Sequence, residues 1–375
     1  MKNSTAVASA RPVGMKEVSD TTATNTVIAA DVGGTFARLA WVTLNPGEAP
    51  VVRDFQKFAC TEYPSLASIL REFSTQTAAE SGAHNAVAVV AIAGLLEGDH
   101  LLNTNLPWQV SVAKTTTESG LAHLQLINDF QAMAYAIPHA DPQKMNRLAG
   151  IGDPHAGWPA LILGPGTGLG AALRLGGEHA AVLPSEIGHA ALAAGNELEL
   201  DILRLLVRRY GHVDNERVLS GPGLVNLYGC LCELRGVSPR WGMPQQLIEA
   251  AQSGQDPIAE ESLHVFCEWL GSLVGDLAIA FGAKAVYLSG GITSHITEFL
   301  HDGRFQQRYL RKGALSAALQ QVPVWRSLKD VAALVPQISA DAAADVRPGR
   351  LSSSLDGLEF EARTPRGTLH VRSPL

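Results

Sequence analysis

The sequence has few charged residues and few cysteines, and it contains no long apolar run. Charged residues make up 17% of the 375 positions, and four positions are cysteines: Cys60, Cys230, Cys232 and Cys267. Four irregularly spaced cysteines are too few for a disulfide framework in a chain of this length, so we expect reduced thiols. The longest unbroken apolar stretch is 86–96, far short of the ~20 residues that a bilayer requires. We therefore expect a globular protein with no membrane span.

Excess positive charge is also missing. The net charge is -7, the isoelectric point is near 5.9, and the Arg and Lys residues are interleaved with acids. This balance argues against nucleic acid as a partner. Residues 1–25 contain no apolar block of the signal-peptide kind, so a cytoplasmic location is expected.

Strand and turn patterns along the chain predict an α/β protein. From Thr26 an apolar run, a tight DVGGT turn and a second apolar run predict a β-hairpin. Residues 160–184 repeat the order of strand, glycine turn and strand, which suggests two related lobes. Further strands are expected near 51–60, 86–94, 124–128 and 283–289, and helices near 63–82, 129–137, 196–213 and 257–281.

Three glycine-rich turns, at 31–35, 164–170 and 289–291, each follow an apolar strand. Glycine lets the backbone approach closely, so their N–H groups can converge on one anionic ligand such as a phosphate. The second turn also satisfies GxGxxA, the Rossmann fingerprint. However, only residues 171–175 separate it from Gly176, which fits a hairpin strand and is too short for a crossover helix. No GxxxxGK[ST] P-loop occurs.

Two patterns resemble metal sites. Cys230 and Cys232 have no second CxxC or His-x-His arm beside them, which favours buried helix cysteines over structural zinc. An ExxH pair, Glu186 and His189, is typical of a di-iron bundle when it lies on a helix. Here it contains Gly188 and lies among predicted strands, which argues against that site.

A polar constellation accompanies the glycine turns. Asn128 and Asp129 lie at the carboxyl end of a predicted strand, where open α/β sheets place ligand-binding groups. The alternative is that Asn128 merely caps the following helix. Glu186, His189 and Glu216 add two acids and an imidazole. Carboxylates accept from vicinal hydroxyls, so this set suits a polyhydroxylated substrate near a phosphate cradle.

The motifs DVGGTFARLA, TNLPW, LINDF, GPGTGLG, PSEIGHA, ERVLSGPGLVNLY and YLSGGI occur in this order over roughly residues 26 to 325. Together they resemble the bacterial ATP-dependent glucokinase family. The resemblance implies the hexokinase, actin and Hsp70 superfamily: an α/β fold of two ribonuclease-H-like lobes with a cleft between them. It also implies transfer of a phosphoryl group from MgATP to D-glucose, and a homodimer. Cys230-Leu-Cys232 lacks the rest of the zinc motif of the kinase and repressor group, which places the chain outside that group.

By this resemblance Asp129 is the general base that takes the proton of the sugar 6-hydroxyl. The implied sugar-binding set is Asn105, Asn128, Asp129, Gly168, Glu186, His189 and Glu216. The implied ATP-binding set is Ala30, Asp31, Val32, Gly33, Gly34, Thr35, Gly166, Thr167, Gly290 and Gly291. Asp31 would also orient a hydrated Mg²⁺, and Gly290 and Gly291 would lie beside the adenosine.

The predicted organisation is a polar tail, a small lobe, a large lobe and an atypical C-terminal extension, with one further segment as a candidate for completing the small lobe. The tail is 1–25, the small lobe is 26–139, the large lobe is 140–321 and the extension is 341–375. The segment of about 322–340 is the candidate for completing the small lobe.

Two departures from the family pattern stand out. Ala30 replaces the usual glycine before Asp31, and no family motif is visible from about Ser327. The end of the chain is then an extension, a divergent closing element or a shifted reading frame. Two other functions stay open: a catalytically silent sugar-binding regulator and a kinase for another hexose.

Overall fold

A computed structural model gives the fold of this chain. It describes residues 25–44, 51–81, 86–102, 106–139, 143, 145–153, 157–176, 181–327, 360–364 and 367–371.

The first sheet has five strands in the order β3-β2-β1-β4-β8. β1 to β3 form an antiparallel meander, and β4 and β8 continue the sheet parallel to β1. Apolar side chains of β1 and β4 alternate between the two faces of the sheet and are buried on both. The strands are β1 (Asn25–Val32), β2 (Phe36–Leu44), β3 (Val51–Ala59), β4 (Val87–Ile92) and β8 (His123–Asn128).

The second sheet repeats this pattern and adds one strand, giving the order β12-β11-β10-β13-β14-β9. β10 to β12 form the antiparallel meander, and β13 and β14 run parallel to β10. The duplicated topology confirms the repeat of strand, glycine turn and strand. The strands are β9 (Met145–Ala149), β10 (Ala160–Pro165), β11 (Leu169–Arg174), β12 (Val182–Ser185), β13 (Ala285–Leu288) and β14 (Val324–Ser327).

β14 lies within the segment 322–340, which the sequence analysis named as a candidate for completing the small lobe. The strand Val324–Ser327 instead takes the fifth position of the second sheet, where it pairs with β13 and β9. The physical reason is the repeat itself, because β14 occupies in the second sheet the place that β8 occupies in the first. Residues 328–340 lie outside the described residues, as does the tail 1–24.

Two smaller β-units complete the strands. One is a three-stranded sheet that follows β4 along the chain, and the other is a C-terminal hairpin within the predicted extension. They are β5 (Leu95–Glu97), β6 (His100–Leu102), β7 (Val110–Ser111), β15 (Phe360–Thr364) and β16 (Gly367–Val371).

Of the helices in the described residues, four lie in the connection between β12 and β13 and four in the connection between β13 and β14. Residues of both connections pack in one apolar cluster with the second sheet. α7 is long and apolar enough to cross a membrane, but 61% of its most apolar window is buried and it packs on α5, α6 and α10. It is the central core helix of this half. The helices are α1 (Leu66–Ser81), α2 (Val112–Ser119), α3 (Asp129–Ala136), α4 (Glu197–Tyr210), α5 (Gly221–Arg235), α6 (Pro244–Gln252), α7 (Pro257–Ala280), α8 (Gly291–His295), α9 (Thr297–His301), α10 (Arg304–Leu310) and α11 (Ser316–Leu319).

The predicted helix cysteines are buried. Cys230 and Cys232 on α5 and Cys267 on α7 belong to one apolar cluster. Burial raises the pKa of the Cys230 thiol to about 11. Among the described residues no group of three or more His, Cys, Asp and Glu side chains is arranged to hold a metal ion.

α3 packs against both sheets. Its small residues Ala132 and Ala136 meet β4 and β8 of the first sheet. Phe130 and Met133, with larger side chains, meet the second sheet. The N-terminus of this helix therefore lies between the two halves of the molecule.

Candidate active site

The site begins at one edge of the first sheet, where three parallel strands end in register. Val32 of β1 lies beside Ile92 of β4, and Ile92 lies beside Asn128 of β8. Gly33 and Asp129 are the next residues along their strands. The strand register thus brings the first glycine turn and the LINDF motif to the same edge.

Asn128 caps α3. Its Oδ1 accepts hydrogen bonds from the N–H groups of Phe130 at 2.9 Å and Gln131 at 3.3 Å. The capping role therefore occurs, and it uses only the amide oxygen. The amide nitrogen remains as a donor that a ligand at this edge can engage.

Asp129 is the first residue of α3. Its Oδ1 accepts from the Phe130 N–H at 2.9 Å, and within the described residues Oδ2 has no hydrogen-bond partner. Burial raises the pKa of Asp129 most strongly, and the negative charges of Asp31 and Glu186 add to that rise. Hydrogen bonds from the backbone N–H groups of Phe130 and of Asp129 itself oppose the rise. The electrostatics show that three acids predicted for the site share one region.

Asp31 lies near the end of β1 opposite Arg38 of β2. The Arg38 guanidinium donates to Asp31 Oδ2 at 2.9 Å. Burial raises the pKa of Asp31, whereas the Arg38 charge and hydrogen bond lower it. Ala30, beside Asp31, is fully buried in the strand.

The first glycine turn is open to solvent. Gly33 and Thr35 are exposed and Gly34 is half-buried. The turn is closed by a hydrogen bond from the Gly33 N–H to the Phe36 oxygen at 3.0 Å. Behind it Cys60 donates from its N–H to the Thr35 oxygen and from its thiol to the Gly33 oxygen.

The second and third glycine turns pack directly on each other. A Cβ on Gly164 would collide with the Ser289 backbone, and a Cβ on Gly290 would collide with the Pro165 oxygen. Gly290 also has a φ of 92°, which favours glycine. Neither Gly166 nor Gly291 would meet an atom with an added Cβ, and Thr167 is exposed. The face around these three residues is therefore free for a ligand.

Glu216 is fastened to the second glycine turn. The Leu169 N–H donates to Glu216 Oε2 at 3.3 Å. A Cβ on Gly168 would lie 2.7 Å from the same oxygen. Glycine at this position thus leaves room for the carboxylate beside the turn.

His189 stands opposite Glu216. Its Nδ1 lies 3.8 Å from Glu216 Oε1 and 3.8 Å from Asp214 Oδ2. His189 and Glu186 are exposed at the ends of one short 3-10 turn. Asn215 joins this turn to the one that carries Glu216, because its side-chain amide donates to the Ile187 oxygen at 2.9 Å.

The carboxylate set suits a hydrated magnesium ion. Asp31 and Asp129 repel each other electrostatically, and a dication beside Asp31 would relieve that repulsion. Magnesium in proteins is commonly held by one or two carboxylates together with waters and substrate phosphates. Asp31, at the open glycine turn, is the candidate carboxylate for holding such an ion through water.

Comparison with known proteins agrees with this geometry. A family model described as Glucokinase matches residues 28–342. The chain belongs to the glucokinase family. The match continues past Ser327, where the visible motifs end. The prediction that the family resemblance stops near Ser327 was therefore wrong for the residues up to 342.

Individual glucokinase relatives cover most of the chain. A glucokinase-like protein of Xylella fastidiosa (strain Temecula1) is 41% identical over 303 residues, covering 79% of this chain and 89% of the relative. The glucokinase of Saccharophagus degradans is 37% identical over 300 residues, covering 79% and 92%. The crystal structure of a glucokinase from an Antarctic psychrotroph is 33% identical with a TM-score of 0.74, covering 85% and 98%. These matches confirm the two-lobed, actin-like α/β fold of a sugar kinase.

Within this glucokinase-family chain three site features escaped the sequence motifs. Arg38 was visible inside an apolar strand, and only the hairpin register shows its pairing with Asp31. Asp214 lies beside His189 but precedes the motif ERVLSGPGLVNLY, which begins at Glu216. The coupling of Gly168 to Glu216 required the fold. Asn105, from the TNLPW loop, lies outside the described residues.

Proposed function

We propose that this protein is a glucokinase that transfers the γ-phosphoryl group of ATP to the 6-hydroxyl of D-glucose, giving glucose 6-phosphate and ADP. One observation carries the proposal. Asp129 lies between the two halves of the molecule with one carboxylate oxygen held by the Phe130 N–H and the other without a hydrogen-bond partner among the described residues. A carboxylate in this state has an oxygen ready to accept a hydroxyl proton.

The surroundings of Asp129 make it a stronger base. Burial and the neighbouring acids raise its pKa, which increases its affinity for the proton of an attacking hydroxyl. Phosphoryl transfer needs in-line positioning and charge neutralisation more than covalent chemistry. Asp129 would therefore hold the 6-hydroxyl and take its proton while the rest of the site positions the two substrates.

The other sugar hydroxyls would meet Asn128, Glu186, His189 and Glu216, with the backbone at Gly168 close by. Asn128 offers its amide nitrogen because Oδ1 caps α3. Glu216 offers Oε1, since Oε2 accepts from Leu169. Asn128 and Glu216 thus each have one polar atom held by the protein and a second that would serve the substrate. Asn105 remains part of the proposed set.

The nucleotide would occupy the glycine turns. Gly33, Gly34 and Thr35, which follow Val32, would wrap the phosphates, with Gly166 and Thr167 opposite and Gly290 and Gly291 beside the adenosine. Asp31 would hold Mg²⁺ through water, and Ala30 would support it from within β1. Bound magnesium supplies neutralisation of phosphate charge. Arg38 opposes the rise that burial causes in the pKa of Asp31 and so favours its ionised form.

The proposed organisation keeps a small lobe of residues 26–139 and a large lobe of 140–321, adds the strand Val324–Ser327 to the large lobe, and places the cleft at α3. The final segment, 341–375, is proposed as an extension. We also propose a cytoplasmic location and a homodimer, as expected for the family.

Asp129→Asn tests the assignment. The amide keeps the size of the side chain and removes the base, so kcat should fall by about two to four orders of magnitude. Glucose binding, measured by calorimetry, should remain within about threefold of the wild type because Asn still hydrogen-bonds a hydroxyl. Asp201→Asn, a half-buried acid on α4 that pairs with Arg204, is the matched control and should leave kcat unchanged. Full turnover by Asp129→Asn would overturn the assignment.

The substrate is tested with a panel of glucose, mannose, fructose and N-acetylglucosamine, with MgATP and detection of ADP. Turnover selective for glucose supports the proposal, whereas selectivity for another sugar makes the protein a kinase of that hexose. Failure to turn over any sugar, combined with a rise in melting temperature on adding glucose, would favour a sugar-binding regulator.

A further inference from the structure

The seven-residue stretch from Ala190 to Asn196, here called the sugar-loop segment, directly follows His189. Its first half pairs with the chain just before Glu216. The Leu192 N–H donates to the Val213 oxygen at 3.0 Å, and the Asn215 N–H donates to the Ala190 oxygen at 2.9 Å. The segment therefore contacts both turns that carry the proposed sugar ligands.

The second half of the segment rests on a buried carboxylate. Glu199 of α4 is fully buried. Its Oε2 accepts from the Gly195 N–H at 2.6 Å, and its Oε1 accepts from the Asn196 side-chain amide at 3.2 Å. Asn196 in turn caps α4 by accepting from the Glu199 N–H at 2.9 Å. This is a capping box in which the glutamate reaches one residue beyond the cap.

Arg308 of α10 completes the arrangement. Its Nη2 donates to Glu199 Oε1 and Oε2 at 2.8 and 2.9 Å. The guanidinium also packs against the segment itself, because a Cβ on Gly195 would lie 2.6 Å from two of its nitrogens. Gly195 thus lets the backbone of the segment lie directly on the ion pair.

A third contact comes from α7. The indole N–H of Trp269 donates to the Ala193 oxygen at 2.8 Å, and the Trp269 side chain is almost fully buried. Two core helices and the start of a third therefore hold the middle and the end of the segment.

A buried ion pair is a poor device for stability alone. Desolvating two charges costs free energy that their attraction only partly returns, and apolar replacements are often as stable. The pair Glu199–Arg308 does provide directional hydrogen bonds that fix where a backbone lies. Its placement under the sugar-loop segment points to positioning as its role.

We propose that Glu199, Arg308 and Trp269 are positioning residues of the sugar site. They hold residues 190–196 so that His189 and Glu216 keep the separation at which both reach one sugar. None of the three hydrogen-bonds to a member of the proposed sugar-binding set within the described residues, so they act through the segment. The proposal rests on the proposed function, because it concerns the sugar site of that kinase.

The test uses Glu199→Gln, Arg308→Lys and Trp269→Phe in the full chain. Glu199→Gln removes the negative charge, Arg308→Lys removes the planar guanidinium, and Trp269→Phe removes the indole N–H donor. Each variant keeps much of the side-chain volume. Tyr309→Phe is the matched control, because Tyr309 neighbours Arg308 on α10, is fully buried and donates to the Val322 oxygen at 2.9 Å, away from the segment.

Two measurements are made on each variant. Hydrogen exchange followed by mass spectrometry should show faster exchange in peptides covering 190–196 for the three variants and unchanged exchange there for Tyr309→Phe. KM for glucose should rise about tenfold while kcat changes by less than about threefold, since displacement of a ligand by a fraction of an ångström weakens binding. Melting temperatures report any general destabilisation.

Faster exchange in the segment with an unchanged KM would overturn the proposal, as would unchanged exchange. An equal rise of KM in Tyr309→Phe would also overturn it, because the effect would then follow from loss of stability. If one variant fails to fold, the other two decide. If the wild type turns over no sugar, the kinase assignment fails separately, and the dissociation constant of glucose replaces KM. A wild type that binds no hexose overturns both.

Discussion

Asp31 and Arg38 face each other across the first hairpin, with the guanidinium 2.9 Å from the carboxylate. The two residues are register partners in β1 and β2, so the ion pair follows directly from the strand pairing. Burial raises the pKa of Asp31, and Arg38 works against that rise. The pairing favours the ionised form of a carboxylate at the edge of the sheet where we place magnesium.

Arg38→Met should weaken MgATP binding in a pH-dependent way. Loss of the cation raises the pKa of Asp31 further, so a larger fraction is protonated at a given pH. A shift of one pKa unit corresponds to about a tenfold change in proton binding. We expect the rise in KM for MgATP relative to the wild type to be larger at about pH 6 than at about pH 8, with an unchanged dissociation constant for glucose.

Lys57→Met controls for the loss of one positive charge. Lys57 pairs with Arg38 on the neighbouring strand and lies over the Phe36 ring. It should show no pH-dependent change in KM. A deficit of Arg38→Met that is the same at both pH values would contradict the role given to Arg38.

Gly168→Ala should damage sugar binding. The added methyl group would lie 2.7 Å from Glu216 Oε2 and would push the carboxylate away from the Leu169 N–H. We expect KM for glucose to rise about tenfold, equivalent to loss of a hydrogen bond to a charged group. Gly242→Ala, in which the added methyl group meets no atom within 4 Å, is the control for a glycine-to-alanine change and should keep the wild-type KM. Wild-type KM in Gly168→Ala would show that Glu216 does not bind the sugar.

Asp129→Asn should make the protein more stable while it inactivates the enzyme. The folded-state pKa of Asp129 is raised, so ionising it costs stability at every pH above the ordinary value of about 3.9. Removing the charge also removes repulsion from Asp31 and Glu186. We expect the melting temperature at pH 7 to rise by about 2 °C. The gain should vanish near pH 3, and a lower melting temperature at pH 7 would contradict the electrostatic argument.

Asp256 should be a main contributor to the stability of the large helical core. It caps α7 and accepts from the Tyr228 hydroxyl at 2.8 Å and the Trp241 indole at 3.0 Å. Burial acts to raise the pKa of Asp256, but the hydrogen bonds outweigh it and the pKa is lowered. Asp256→Ala should cost about 3 kcal/mol of unfolding free energy, from a lost cap and lost buried partners.

The pH dependence separates the charge of Asp256 from its cap. Because the folded pKa is lowered, the charge contributes its full stability above the unfolded value of about 3.9 and loses it as the pH falls through the folded pKa. Asp256→Asn keeps a capping oxygen, so its deficit in urea unfolding should be smaller than that of Ala and should shrink below pH 4. A deficit that grows on acidification would contradict this assignment.

Local patterns were sufficient to predict the parts of the fold that depend on neighbouring residues. The two hairpins followed from apolar runs interrupted by glycine turns, and the rejection of a Rossmann turn at Gly166 was right because residues 169–174 form a strand. Asn128 and Asp129 were placed correctly at a strand end since β8 stops where α3 begins.

Features that join distant segments could not be predicted in this way. Glu199 and Arg308 are 109 residues apart, and neither lies in a motif. The sequence of the strand Val324–Ser327 is compatible with either lobe. Its pairing with β13 is what assigns it to the second sheet. Asp31 and Arg38 are close in sequence, but their contact needs the exact hairpin register.

The Phe130 ring packs directly against Gly170. The ring of the residue after Asp129 occupies the space into which a side chain at Gly170 would project. A side chain at position 170 is therefore tolerated only where position 130 becomes smaller. Over evolutionary time the two positions should change as a pair, so sequence change in the second sheet is restrained by the residue that follows Asp129, the proposed base.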